Sequence, residues 1–268
     1  MTTTILAVLA DRHGARACLE AAHAAAQSVG GEVAALHVAV DPATTVLPTE
    51  EILTDDRRVA ILREEAEERR AVRGAYDAVV AALGPVGFRW IDAAGTETAA
   101  IDAHAAGAVL IAVAVPERHY AGEAQEALHA AVFDTGRPVL VVPRGCRHRP
   151  VRRIAVGWHE DAACRRAVAD ARPWLDRAEA IRVLAVDGGD DAALDGARDL
   201  LRGLGLAADF AAVDAGAAAR GDALLSSVGD ADWLVMGAFR RGRFLYWLFG
   251  SVSETVLRDA TMPVFLAH

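Results

Sequence analysis

The hydrophobic residues of the chain fall into short unbroken runs that alternate with segments of helical spacing. In the first half the runs are ILAVLA, VAALHVAV, AVLIAVAV and PVLVV. Such runs, which do not alternate with polar residues, are typical of parallel strands that a sheet buries on both faces. The segments between them carry apolar residues three or four positions apart, as on one side of a helix. The pattern therefore predicts an α/β protein with a parallel sheet.

One helical segment is long and strongly charged in its first part. Its later part carries apolar residues on one face: Val72, Tyr76, Val79, Val80 and Leu83. The preceding residues 50–73 include oppositely charged pairs such as Glu65 and Arg69, which are one helical turn apart. We predict that this charged segment is the solvated front of the same helix.

The whole pattern occurs twice along the chain. Residues 5–40 and 154–186 each contain an apolar run, a polar turn, an alanine-rich amphipathic stretch and a second apolar run. The two halves also end alike, with GRPVLVVP in the first and TMPVFLAH in the second. We predict two tandem, doubly wound, Rossmann-like domains, residues 1–146 and 150–268. Ligands of such sheets bind at the carboxyl ends of the strands, where the strand order reverses.

The two predicted domains are joined by the arginine-rich stretch RGCRHRPVRR at 144–153. Its composition favours a solvated linker, and a phosphate-binding patch is the alternative. Because no glycine- and serine-rich spacer is present, we expect the halves to pack directly against each other.

Composition limits the possible compartments and partners. A net charge of −9 argues against a general nucleic-acid-binding protein, because phosphate binding needs a basic face. The three cysteines show no CxxC spacing, as expected of a reducing, cytoplasmic compartment. The N-terminus lacks the basic region of a signal peptide, and the longest uncharged apolar run, 105–116, is too short to cross a bilayer. We expect a soluble, cytoplasmic protein without nucleic-acid or membrane partners.

Motifs of conventional catalysis are missing from the sequence. It contains no HExxH, no Gly-x-Ser-x-Gly and no Walker A motif. Asp187, Asp190 and Asp191 follow a predicted strand, where a solvated turn is favoured over a Mg²⁺ site. We predict no catalytic residue and no metal ligand.

The stretch MGAFRRGRFLYWLFGSVSE at 236–254 is the strongest candidate for a binding site. Gly237 follows a predicted strand, and Gly250 and Ser251 precede a predicted helix. The unpaired N–H groups of that helix could bind an anion. Alternatively, Ser251 or Ser253 only caps the helix, with Glu254 completing a capping box after Ser251. The sequence leaves both interpretations open.

With these residues the chain resembles the universal stress protein family over nearly its full length. The nucleotide loop of that family is Gly-x-x-Gly, nine residues, then Gly-Ser or Gly-Thr, followed by a helix and a strand that starts with Pro-Val. Gly237, Gly250 and Ser251 fit this spacing, and Pro263 and Val264 follow as expected. The place of the second glycine is taken by Arg240.

The resemblance implies the fold of the adenine nucleotide alpha hydrolases and a site for ATP or AMP in the second domain. Gly237, Gly250, Ser251 and Val252 would hold the ribose and phosphates. Met236 and His159 would lie near the base; His159 stands where ATP-binding members have an aspartate. Arg240 and Ser253 complete the candidate set.

The first domain departs further from the family. The aspartate position falls on Ala10, and residues 115–120 lack the glycine pair. We predict that this domain binds no nucleotide and packs against the second one. The resemblance also implies that the last strands of the two domains, at 138–142 and 263–266, pair within the chain. A homodimer is a further possibility.

The expected function is that of a stress-response binding module, with slow ATP hydrolysis as the weakest alternative. A rival from another class is a scaffold that binds no nucleotide. Its contact surface would be the aromatic and arginine-rich loop Phe239–Phe249, to which a protein partner would bind. The same aromatic residues could instead belong to the core.

Overall fold

The computed structural model describes residues 3–39, 55–84, 87–116, 122–146, 149–186, 190–216, 219–237 and 251–267. These residues contain ten strands, which form one sheet. The strands are β1 (Thr4–Val8), β2 (Glu32–Ala39), β3 (Phe88–Ala94), β4 (Leu110–Ala114), β5 (Val139–Val142), β6 (Arg153–Trp158), β7 (Ala180–Ala185), β8 (Asp209–Ala212), β9 (Trp233–Gly237) and β10 (Val264–Ala267).

Helices connect most of the strands. They are α1 (Arg12–Val29), α2 (Asp55–Leu83), α3 (Glu97–Ala105), α4 (Glu123–Phe133), α5 (Ala162–Asp170), α6 (Arg172–Leu175), α7 (Asp195–Leu204), α8 (Arg220–Ser227) and α9 (Ser251–Asp259), with a 3₁₀ turn at Asp191–Leu194 before α7. The single long α2 confirms the predicted helix with a charged front from residue 55 on; residues 50–54 lie outside the described residues. Among the described residues, none of the helices combines the length and the apolar character needed to cross a bilayer.

The order of the strands shows the duplication directly. Across the sheet they run β3-β2-β1-β4-β5-β10-β9-β6-β7-β8. Within each half the pairs are parallel, and the second half repeats the order of the first, counted from its outer edge inward. In each half the order reverses between the first and fourth strands, β1 and β4 or β6 and β9. The predicted α/β, doubly wound fold is confirmed.

The two halves meet at an antiparallel pair of strands in the middle of the sheet. Val139, Leu140 and Val141 of β5 lie opposite Leu266, Phe265 and Val264 of β10. These are the strands that the family resemblance singles out for pairing within the chain. Every residue of both strands is buried.

Two hydrophobic layers cover the sheet, one on each face, and both extend through the two halves. Helices α1, α2, α5, α6 and α7 pack on one face. Helices α3, α4, α8 and α9 pack on the other. Since both faces are covered, inner strands such as β1 and β4 bury consecutive residues on either side, which explains the unbroken apolar runs.

A cluster of three aromatic side chains ties the halves together on the α1 face. The ring of Trp174 lies 5.5 Å from that of Trp233 and 5.8 Å from that of Phe265. Trp174 also donates a hydrogen bond through Nε1 to the carbonyl oxygen of Ala25 in α1, at 3.0 Å. Helix α6 of the second half is thereby fixed to α1 of the first.

Removing the Trp174 side chain should weaken the packing between the two halves. We expect Trp174→Ala to lower the free energy of unfolding by about 3–5 kcal/mol, because it opens a large cavity in a fully buried site. Urea unfolding followed by circular dichroism measures the change. Phe133→Ala is the control: Phe133 is 42% exposed, so the loss should stay below about 1 kcal/mol. Equal stability of Trp174→Ala and the parent would contradict this role.

Candidate functional site

The strand order places the candidate site of the second half where β6 and β9 end side by side. Gly157 of β6 is in register with Met236 of β9. His159 follows the last residue of β6, and Gly237 is the last residue of β9. The structure therefore brings His159, Met236 and Gly237 to the same edge of the sheet, at the point where the order reverses.

Helix α9 begins at this edge and carries two further candidates in its first turn. Val252 packs on the hydrophobic layer that contains Met236. Ser253 follows it and is partly buried. Arg240 and Gly250 lie outside the described residues, as does the whole of Phe239–Phe249. The side chain of Ser251 is likewise not described, so the choice between a helix cap and an anion site stays a prediction.

Gly237 has a packing role of its own. A Cβ atom at this position would lie 2.4 Å from the backbone nitrogen of Cys164 and 2.7 Å from the carbonyl carbon of Ala163. Both distances are far below van der Waals contact. Strand β9 can therefore pass this close to the start of α5 only if residue 237 is glycine. The glycine alone is no sign of a ligand.

Cys164 is a residue of this site that the sequence analysis missed. Its Sγ lies 3.4 Å from the carbonyl oxygen of Gly157. Burial raises the pKa of the Cys164 thiol to about 11, and the neighbouring backbone groups of His159 and Gly237 partly oppose that rise. The neutral Cys164 thiol thus lies beside the backbone of two predicted ligand residues, His159 and Gly237. Its signal in the sequence is its position three residues after Asp161, whose carboxylate caps α5 through the N–H of Cys164, at 2.8 Å.

In the first half α1 and β4 also cross closely. There the glycine lies on the helix, whereas in the second half it lies on the strand. Gly14 stands three residues after Asp11, which caps α1 as Asp161 caps α5. A Cβ atom on Gly14 would lie 2.5 Å from Cβ of Ala114, the last residue of β4. In the first half the obstacle to a Cβ on the glycine is thus a single side-chain atom, Cβ of Ala114. In the second half the obstacle is the backbone of α5 itself.

The carboxyl edge of the first half is closed by an arginine from the segment after β5. Arg144 donates through Nη1 and Nη2 to the two carboxylate oxygens of Asp11, at 2.8 and 2.6 Å, and through Nε to the carbonyl oxygen of Val115, at 2.7 Å. Burial opposes ionisation of Asp11, but the bonds from Arg144 and Gly14 hold its pKa below the ordinary value.

The interpretation of 144–153 as a solvated linker is therefore wrong at its first residue. Arg144 is mostly buried and pairs with Asp11, which is far from it in sequence but close in space. Three later arginines of the segment, Arg149, Arg152 and Arg153, do lie in solvent. Arg152 pairs with Glu179 and Arg153 with Asp230 on the surface.

At the helix start that corresponds to α9, the first half carries negative charge. Gly122 precedes α4 as Gly250 precedes α9, so the first half keeps this glycine. The next residue is Glu123, where the second half has Ser251. A carboxylate there disfavours phosphate. That the first half binds no nucleotide stays a prediction.

Of the three aspartates considered for Mg²⁺, Asp187 lies outside the described residues, and Asp190 and Asp191 lie on the surface. Asp190 caps the 3₁₀ turn through the N–H of Ala192, and Asp191 pairs with Arg198. Within the described ranges, no three histidine, cysteine, aspartate or glutamate side chains are arranged to hold a metal ion. A groove of about 610 Å³ runs along α2, and one of about 320 Å³ lies between α8 and α9. Neither is lined by the ends of β6 and β9.

This strand order, with ligand-type positions at the reversal point, defines a doubly wound, Rossmann-like α/β protein. Residues 152–268 match the model of the Universal stress protein family. The predicted resemblance to this family is thereby confirmed for the C-terminal half of the chain.

Solved structures extend the likeness to the whole chain at the level of the fold. A universal stress protein from Archaeoglobus fulgidus DSM 4304 is 17% identical, with a TM-score of 0.67, over 98% of this chain and 97% of that one. A functionally unknown protein from Pseudomonas aeruginosa PAO1 is 18% identical, with a TM-score of 0.55, over 99% of this chain and 92% of that one. No curated protein matches the sequence significantly.

The crossing of α1 and β4 can be tested by moving its glycine. Alanine is normally favoured over glycine inside a helix by about 1 kcal/mol. We nevertheless expect Gly14→Ala to lower the free energy of unfolding by about 1–3 kcal/mol, because two Cβ atoms would collide.

The double variant Gly14→Ala with Ala114→Gly copies the arrangement of the second half and should recover most of the loss. Gly203→Ala is the matched control, since a Cβ on that α7 glycine would meet nothing within 4 Å. It should be neutral or stabilising. Urea unfolding measures all four proteins, and a double variant no more stable than Gly14→Ala would refute the explanation.

Proposed function

We propose that the protein is a stress-response binding module that holds an adenine nucleotide, ATP or AMP, at the carboxyl edge of its second half. The first half serves as a structural partner and binds no nucleotide. In this role the protein senses or scaffolds and is not a fast hydrolase.

The observation that carries the proposal is the convergence of three chain segments at one edge of the sheet. The ends of β6, with His159, and of β9, with Met236 and Gly237, lie side by side where the strand order reverses, and α9 starts on the same edge of the sheet. A helix start presents unpaired N–H groups to an anion, and a reversal point leaves a crevice beside it. These segments lie in the part of the chain that matches the Universal stress protein family.

The packing of these residues indicates which atoms would contact the ligand. The Met236 side chain is buried in the layer beneath α8 and α9, so its backbone is the part that would face a base. His159 is only half-buried, and its ring can offer one hydrogen bond to a base. Backbone donors of Gly250, Ser251 and Val252, at the start of α9, would hold phosphate, with Arg240 as a charged neighbour.

Titration calorimetry with ATP, AMP and cyclic AMP tests the proposed binding. We expect a dissociation constant below the millimolar range for one of them, and loss of binding in Gly250→Trp, since a large side chain would block the helix start. The matched control is Gly122→Trp at the corresponding position of the first half, where a Cβ meets nothing within 4 Å. It should bind normally. Absence of binding in the parent at millimolar ligand would refute the proposal and favour the scaffold that acts through Phe239–Phe249.

The two departures from the family pattern define a second test. His159→Asp combined with Arg240→Gly should tighten ATP binding about tenfold, because one regained hydrogen bond is worth about 1 kcal/mol and a glycine allows closer backbone approach. His13→Asp, an exposed histidine of the first half, should leave the affinity unchanged. If the reverted protein binds ATP no more tightly than the parent, these two residues do not set the affinity.

A further inference from the structure

Five glutamates converge at the carboxyl edge of the first half. They come from three helices and are Glu65 and Glu68 of α2, Glu97 of α3, and Glu123 and Glu126 of α4. Glu97 and Glu123 are the first residues of their helices. The charges lie close enough to act on one another: those of Glu123, Glu126 and Glu65 bear on Glu97, and those of Glu65, Glu68 and Glu126 bear on Glu123.

Glu97 is the unusual member of this glutamate cluster. Only 2% of its surface is exposed, and within the described ranges its Oε2 atom has no hydrogen-bond partner. Other members are bonded: Glu68 accepts from the backbone N–H and the side chain of Arg12, and Glu126 accepts from Oγ1 of Thr98, at 3.1 Å. The positive charge of Arg12 is thus engaged by Glu68.

The chemistry of a buried carboxylate decides the charge state of Glu97. Ionisation would place a charge out of water with an unpartnered oxygen, among other carboxylates, which is strongly unfavourable. The start of a helix favours a negative charge, but burial and three like charges oppose it. Burial, with these neighbours, raises the pKa of Glu97 to about 8 and that of Glu123 to about 7.

The part of the molecule that this charge would disturb, the front of α2, is held at the surface by ion pairs, Glu68 with Arg12 and Arg69 with Asp92. Helix α2 is anchored by the buried Val72, Tyr76 and Val79 of its later half. Its front lies on the surface, with Val59 and Leu62 each 48% exposed. The front of α2 thus contributes Glu65 and Glu68 to the cluster without a buried apolar face of its own.

We propose that the glutamate cluster is a proton-held lock, in which protonated Glu97 allows α2, α3 and α4 to meet at this edge and its ionisation drives the front of α2 away. Raising the pH releases the proton to solvent and leaves a carboxylate facing Glu65 of α2 and Glu123 and Glu126 of α4. The lock lies in the first half and does not depend on nucleotide binding in the second.

The sign of the pH dependence follows from the proton balance. The folded chain holds a proton on Glu97 over a range where the unfolded chain, with an ordinary glutamate, has lost it. Stability from this group is therefore fully present below about pH 4.5 and falls as the pH rises through about 8. Glu123 adds a loss in the same direction, up to about pH 7.

Thermal unfolding of the full chain between pH 5 and pH 9.5 tests the lock. We expect the midpoint of the parent to fall with rising pH, and that of Glu97→Gln to fall less, so that the variant melts about 5–15 °C higher at pH 9. Glu179→Gln is the control, because Glu179 pairs with Arg152 on the surface, and it should follow the parent. Parallel curves for Glu97→Gln and the parent would overturn the proposal.

If Glu97→Gln folds poorly, the glutamate carboxyls of the parent protein can be titrated directly. In parent protein labelled with ¹³C at the glutamate carboxyls, one or two resonances should titrate above pH 6.5. Titration of every glutamate below pH 6 would refute the lock. Millimolar Mg²⁺ or Ca²⁺ should not raise the melting midpoint at pH 9 in the parent. A rise that Glu97→Gln lacks would identify a cation site instead and overturn the proposal.

Discussion

The antiparallel pairing of β5 with β10 is the constraint on which the rest of the structure depends. Each of these strands is buried along its whole length. Alone, a half of the chain would leave such an apolar strand as an open sheet edge, which is an aggregation hazard. Pairing removes both edges at once and makes the two hydrophobic layers continuous. The aromatic cluster around Trp174 then closes the joint on one face.

The last strands of the two halves, β5 and β10, make the joint. The carboxyl edges at the two reversal points, where β1 and β4 or β6 and β9 end, are therefore free to differ. The first half fills its reversal point with the Arg144–Asp11 pair and gathers glutamates at the starts of α3 and α4. In the second half Gly250 stands directly before α9, which begins at Ser251. Two halves with the same strand order thus differ, within one sheet, in what lies at their carboxyl edges.

Local periodicity carried most of the fold prediction. The long α2, the buried strands and the repeat of the two halves were predictable because each depends on residues close together in sequence. The ion pair between Arg144 and Asp11 was not predictable from the sequence, because 133 positions separate the two residues. Glu97 and Cys164 were missed for a similar reason: their environments are built by elements from several parts of the chain. Of the candidate site, the positions of His159, Met236 and Gly237 were predicted by the family spacing, whereas the packing reason for Gly237 required coordinates.

The close approach of helix and strand also limits how the two halves can exchange parts. Gly237 faces the backbone of α5, whereas Gly14 faces the side chain of Ala114. A hybrid that placed β4 beside α5 at the spacing of the second half would press Cβ of Ala114 against that backbone. A hybrid that placed β9 beside α1 would bring Gly14 against Gly237 and leave a void. Helix and strand at this crossing are therefore matched within each half and are not interchangeable between the halves.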